Sequence, residues 1–397
     1  VVDPAERERI VAACERFVPA WQARRDPAEE FRALADRAGA RLDVYGRGES
    51  VERLEARVGE LLGKPAAALF PSGTMAQQIA LRIWCERRGR STVAFHPQCH
   101  LDVHEERGYE QLHGLHARPV GEHDRLIARA DLDDVKEPVG ALLLELPQRD
   151  IGGQLPAWRE LRAQAAWARA NDVALHLDGA RLWQCGPFYR RPLREIAALF
   201  DTVYVSLYKD LGALGGCVLA GPEDVIAEAR VWRVRHGGRL STFEPMALSA
   251  ERGLDEVLPR MPSFVRKAKE IGAALTRVDG VTVVPDPPQA AMLHVAVRGE
   301  PERVNDALFE LAKERRTLIA PGFVRTTLPN VQRAELGIGA PSLEVPTKEI
   351  AELYAELVSR AAGPARSARR RGTRRGSQAA PSGRASSRRA PTRRSSR

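Results

Sequence analysis

Lys209 stands at the end of a β-branched apolar run in the stretch TVYVSLYKDLGALGGCVLAG, residues 202–221. Residues 202–207 read as a strand, the glycines at 212, 215 and 216 as a hairpin signal, and 217–220 as a second strand. An amine is thus set at a strand mouth facing glycines. Taken alone, the same lysine reads as an ordinary solvated turn residue. Two upstream stretches change that reading. At Pro71-Ser72-Gly73-Thr74 a short apolar run (66–70) gives way to a helical pattern. Freed N–H groups at a helix start attract an anion, glycine permits close approach, and the hydroxyls add donors. At His176-Leu177-Asp178-Gly179-Ala180-Arg181 a carboxylate ends an apolar run and a guanidinium follows three residues later. In parallel α/β sheets ligands lie at strand C-termini, and the planar fork of Arg181 suits a carboxylate. Separately, these two stretches also read as a serine cap and an Asp-Gly turn.

In combination they supply what pyridoxal 5'-phosphate requires. Lys209 can form a Schiff base, Ser72 to Thr74 can cradle the phosphate, and Asp178 can keep the pyridine nitrogen protonated. That proton makes the ring an electron sink for charge at a substrate α-carbon.

The elements that must position these residues follow from the pattern of the chain. Short apolar runs at 66–70, 93–96, 141–146, 173–177, 202–207 and 217–220 alternate with helical stretches such as 50–62, 75–88 and 156–170. Such alternation predicts a mostly parallel sheet covered on both faces. Beyond about residue 250 the order changes to a long helix, strands at 281–284 and 292–297, and helices at 302–314 and 348–359. The expected organisation is an N-terminal helical segment (1–40), a cofactor-binding large domain (41–250), a small C-terminal α+β domain (251–360) and a disordered tail (361–397).

The bulk numbers exclude other classes. The net charge of +9 is owed to the tail: residues 361–397 hold twelve Arg and no acid, so the rest is mildly acidic. A tail of Arg, Ser, Ala, Pro and Gly cannot offset its ordering entropy; nonspecific contact with nucleic acid is its one functional alternative, without aromatic stacking. No apolar run approaches the length of a membrane span, and the first residues lack a secretory h-region. Five scattered cysteines without metal-ligand spacing suggest a reduced, cytoplasmic chain with no metal site.

The cradle, the strand-end Asp with its Arg and the strand-end Lys before glycines, in this order, resemble the fold-type I pyridoxal phosphate enzymes. More closely, the chain resembles the threonine aldolase branch of the β-eliminating lyases, through DVYG, FPSGTMAQQ, CHLDVHEERG, IGGQLP, LHLDGARL and SLYKDLGALGG. The resemblance implies a fold-type I large domain with a mostly parallel seven-stranded sheet. It implies that Lys209 forms the internal aldimine, that Asp178 pairs with the pyridine nitrogen, and that Ser72, Gly73 and Thr74 hold the phosphate. It places His100 against the cofactor ring, gives Arg181 and Arg325 the substrate carboxylate, and sends Tyr45 to the active site of a neighbouring subunit, hence a homodimer or homotetramer.

Four departures accompany it. An SDTVT-like N-terminal segment is missing, and Tyr208 precedes the lysine where a serine is usual, leaving Ser206 as a replacement phosphate donor. Gln148 stands where the family carries a histidine associated with the substrate β-hydroxyl. GGRLST (237–242) replaces GGGMRQ. The resemblance implies cleavage of a β-hydroxy-α-amino acid to glycine and an aldehyde. Because an amide takes up no proton near neutral pH, His100 or a water it orients would have to do more of the work. The alternatives are β-elimination on another amino acid, or a weakly catalytic cofactor-binding protein acting through its tail.

Overall fold

The central sheet is built from β1 (Ala66–Phe70), β2 (Thr92–Phe95), β3 (His116–Pro119), β4 (Ala141–Glu145), β5 (Ala174–Gly179), β6 (Thr202–Ser206) and β7 (Cys217–Gly221). The computed structural model describes residues 2–22 and 25–362. The seven strands run in the order β1-β7-β6-β5-β4-β2-β3. Only β7 runs against its neighbours: β6 turns back on it through the glycine-rich segment, and β1 pairs antiparallel on its far side. The other pairs are parallel. Strands β4 to β7 are buried along their whole length, which is why they read as unbroken apolar runs.

Within this sheet the sequence reading misses one strand, β3. It is an edge strand with no fully buried residue, so the apolar signal that marks its neighbours is absent from His-Ala-Arg-Pro. Outside this sheet the sequence reading also misses the strands Val324–Arg325 and Val331–Gly337 and the short parallel pair Arg16–Phe17 and Thr317–Leu318. The helix Glu49–Leu62 starts one residue before the pattern suggests, with Gly48 at the cap position; Ser50 lies inside its first turn, donating from Oγ to Glu244 Oε2 at 2.5 Å. The helix Gly73–Arg87 begins two residues earlier than the apolar pattern suggests, with Ser72 Oγ accepting from Met75 N.

A second sheet, wholly antiparallel, joins Val281–Val284, Met292–Arg298, Val331–Gly337 and Val324–Arg325. In Val331–Gly337, Gln332, Ala334 and Leu336 are buried while Arg333 and Glu335 take the opposite face. That face is turned to the first sheet: Arg333 Nη1 donates to Asp150 O at 3.1 Å, and Glu335 is bonded by Arg149 and Arg181. The described residues belong to one compact unit, and no described helix is long and apolar enough to cross a membrane. The helix Thr347–Ala362 runs two residues into the expected tail; the rest of that tail, 363–397, lies outside the described residues.

Candidate active site

Sheet register sets the first two groups. Glu145, the last residue of β4, is paired with Asp178 on β5, and Asp178 is in turn paired with Tyr204 on β6. Paired residues on parallel strands share a face, so two carboxylates and a phenol are aligned across three strand ends. All are almost fully buried. Asp178 Oδ1 accepts from Ala180 N at 3.0 Å and Oδ2 from Gln77 Nε2 at 3.1 Å. Gln77 lies one turn into the helix Gly73–Arg87, so the helix that starts at the anion cradle read from the sequence is physically tied to the acid.

That tie explains Gly73. A Cβ there would lie 2.2 Å from the Tyr204 hydroxyl; only glycine lets the helix start approach the sheet so closely. Ser72 and Thr74 flank it on the exposed side. Ser206 ends β6, fully buried, with Oγ accepting from Lys209 N at 3.4 Å.

Lys209 Nζ has no hydrogen bond or ion pair among the described residues. Burial pushes its ammonium down from the ordinary lysine value, and Arg181 adds to the shift, while Asp178, Glu145 and Asp210 oppose it. Burial is likewise the main cause that pushes Glu145 up, reinforced by Asp178 and opposed by Lys209. Lys209, Asp178, Glu145 and Arg181 therefore feel one another in one low-dielectric site.

Arg181 reaches across to the second sheet, with Nη2 3.4 Å from Glu335 Oε1. Arg149 Nε lies 2.8 Å from the other oxygen of Glu335. Burial works against the Glu335 charge, but His294, whose Nε2 lies 3.8 Å away, and the two guanidiniums outweigh it and hold the carboxyl down at about 2.

His100 opens the short helix His100–Val103. Its Nδ1 is 2.9 Å from Glu105 Oε1, and the second Glu105 oxygen is buried without a partner. Gln148 is buried; its Nε2 donates to Glu145 Oε2 at 3.0 Å and to Gln98 O at 3.1 Å. Tyr45 is half exposed, in left-handed backbone at φ 54°, with Arg239 4.4 Å above its ring. Its loop is held by Asp43, whose Oδ1 accepts from Thr242 Oγ1, Phe243 N and Glu244 N.

Arg325 is not brought into this cluster. It is paired with Gln332 in register, so the pleat puts it on the face opposite Arg333 and Glu335. Its side chain is 73% exposed and bonds Glu302 at 3.0 Å. The arginine that the second sheet sends toward the site is Arg333. Sequence reasoning also missed Glu145, Glu105 and Glu335. Glu105 lies within CHLDVHEERG and Glu145 closes an apolar run, and neither carries a local signal of its role; the alternation in Val331–Gly337 was the one available clue to Glu335.

Three local features fit pyridoxal phosphate. A buried amine has no partner, a buried carboxylate at a neighbouring strand end is pinned by two donors, and a helix start is drawn against the sheet at a position a Cβ would block. The buried unpartnered oxygens of Gln77 and Glu105 leave acceptors for a polar ligand. Fold and site together define a fold-type I pyridoxal phosphate enzyme.

Residues 26–298 match the profile of the Beta-eliminating lyase family, and the chain belongs to that family. It is 28% identical over 286 residues to a probable low-specificity L-threonine aldolase 2 of Arabidopsis thaliana, covering 70% of this chain and 80% of the relative. It is 30% identical over 252 residues to the low specificity L-threonine aldolase of Escherichia coli K12, covering 60% and 74%. Among solved structures, a putative L-allo-threonine aldolase from Listeria monocytogenes superposes with a TM-score of 0.84 at 34% identity, over 89% of this chain and 99% of that one.

Proposed function

We propose that this chain is a carbon-carbon lyase that cleaves a threonine-like β-hydroxy-α-amino acid into glycine and an aldehyde. The observation that carries the reading is the unpartnered, buried Lys209 amine sharing one site with Asp178 and Arg181, in a chain whose relatives are named threonine aldolases.

Pyridoxal phosphate, when bound, supplies a conjugated sink for the electron pair left on the α-carbon as the Cα–Cβ bond breaks. Lys209 Nζ would hold its aldehyde carbon, and burial, by lowering the affinity of this amine for a proton, shifts it toward the nucleophilic form. Asp178 would hold the proton on the pyridine nitrogen, oriented by Gln77 and Ala180 N. Ser72, Gly73, Thr74 and Ser206 would hold the phosphate, at a helix start whose N–H groups face an anion. Arg181 would take the substrate carboxylate and so orient the bond to be broken. His100, its ring fixed by Glu105, would lie along the cofactor ring. Gln148 binds without taking a proton.

Two coarser features belong to the same reading. Tyr45, half exposed and held in a strained backbone, suits a residue completed by a second copy of the chain, in a homodimer or homotetramer. Five free, buried cysteines suit a reducing cytoplasm.

The experiment is product analysis with purified protein on a panel of β-hydroxy-α-amino acids. Glycine and aldehyde in equal amounts are expected; a keto acid and ammonia would establish elimination instead.

A further inference from the structure

Aldol cleavage needs a group to take the β-hydroxyl proton, and Gln148 is not that group. Its amide is neutral and its donors are spent on Glu145 and on Gln98 O. His100 is bound through Nδ1 to Glu105. The same wall of the site holds another histidine.

We propose that His104, held by Asp150, accepts the β-hydroxyl proton. The inference rests on the aldolase reading above and names the residue that makes that site complete. His104 follows the short helix His100–Val103, one turn after His100, and the two rings lie 5.0 Å apart. Asp150 comes two residues after Gln148, in the 3-10 turn Arg149–Ile151. His104 Nε2 is 2.8 Å from Asp150 Oδ2. A carboxylate only accepts, so Nε2 bears the hydrogen and Nδ1 keeps the lone pair. Nδ1 has no partner among the described residues. Arg149 Nη1, which can only donate, lies 3.2 Å from Nε2 and 3.6 Å from Asp150 Oδ1; the shorter, charge-assisted 2.8 Å contact with Asp150 sets the tautomer over this longer one.

Exposure divides the pair as a base and its anchor require. The Asp150 side chain is 11% exposed and that of His104 36%, so the carboxylate is fixed in protein while the ring meets solutes. The charged and titratable groups around the ring are His100 on its own segment, Asp150 and Arg149 on the 3-10 turn, and, beyond Arg149, Glu335 of the second sheet. Arg149 and Glu335 link this pair to Arg181, so the ring stands on the side of the site where a substrate carboxylate would be held. The step balances: the O–H bond breaks, its proton goes to Nδ1, the oxygen lone pair forms the carbonyl, the Cα–Cβ bond breaks, and its electron pair stays with the α-carbon. The carboxylate fixes the tautomer and stabilises the imidazolium that forms.

The test joins a spectroscopic and a kinetic readout on the full-length holoenzyme. Long-range proton–nitrogen NMR of protein labelled at its nine histidines, with His104→Gln identifying the signal, is expected to show the Nε2–H tautomer, and Asp150→Asn to lose that preference. The ratio of cleavage rate to glycine α-proton exchange, which involves no β-hydroxyl, is expected to fall about 100-fold in His104→Gln and about 10-fold in Asp150→Asn, with the visible absorbance of the cofactor unchanged. An Nδ1–H tautomer, or an unchanged ratio in His104→Gln while the wild type cleaves, would overturn the role of His104 alone. A wild type that releases no glycine from any β-hydroxy amino acid would overturn the aldolase reading and this inference with it.

Discussion

Replacing Glu335 by Gln removes the one carboxylate on which Arg149 and Arg181 converge, and the cost can be worked from its proton affinity. The carboxyl is held at about 2 against an ordinary value of 4.5, with a side chain only 15% exposed. A tenfold change in proton affinity corresponds to about 1.4 kcal/mol, so ionised Glu335 contributes about 3 kcal/mol to the folded state at pH 7. The sign follows from the depressed value. The contribution is present above pH 4.5, where the unfolded chain is also ionised, and is lost as pH falls toward 2, leaving about 1 kcal/mol at pH 3. Urea unfolding of wild type and Glu335→Gln, followed by tryptophan fluorescence between pH 7 and pH 3.5, measures the difference directly. The expected result is a gap of about 3 kcal/mol at pH 7 that narrows on acidification. A gap under about 0.5 kcal/mol, or one that widens as pH falls, would refute the claim that the guanidiniums and His294 outweigh burial at this carboxylate.

Lys209→Ala should remove the visible absorbance of the purified protein while circular dichroism is unchanged; a surviving band would place the cofactor's amine elsewhere. Asp178→Asn should fold, because Gln77, whose Oε1 has no partner, can turn to accept from the new amide. Its turnover should fall by about 100-fold, equivalent to about 2.7 kcal/mol of transition-state stabilisation, and an undiminished rate would remove Asp178 from the chemistry. Gly73→Ala forces a Cβ onto the Tyr204 hydroxyl, so the helix start must back away from the sheet. Cofactor affinity, read by absorbance retained on dialysis, should drop at least about tenfold, or 1.4 kcal/mol.

The order of chemistry-bearing segments along the chain determined a good deal of this protein. Six of the seven strands of the central sheet were legible because the inner strands are buried on both faces, which forces continuous β-branched and aliphatic runs at 141–145, 174–177 and 202–205. Lys209, Asp178 and Ser72 to Thr74 were legible because strand ends and helix starts are marked locally, by where an apolar run stops and glycine or a capping hydroxyl begins. Edge strand β3 was not, since a strand exposed to water needs no apolar signature.

Folding alone decided what each side chain faces. Arg325 and Arg333 are eight residues apart in arginine-bearing stretches that read alike, and the pleat of the second sheet sends one to Glu302 and the other to Asp150. Glu145 becomes a neighbour of Asp178 only through strand register. Glu335 finds Arg149 and Arg181, and His104 finds Asp150, across sequence separations that periodicity does not encode. Burial, charge pairing and the choice of hydrogen-bond partner depend on contacts between distant segments, so the chemistry at the β-carbon side of the site is written in three dimensions.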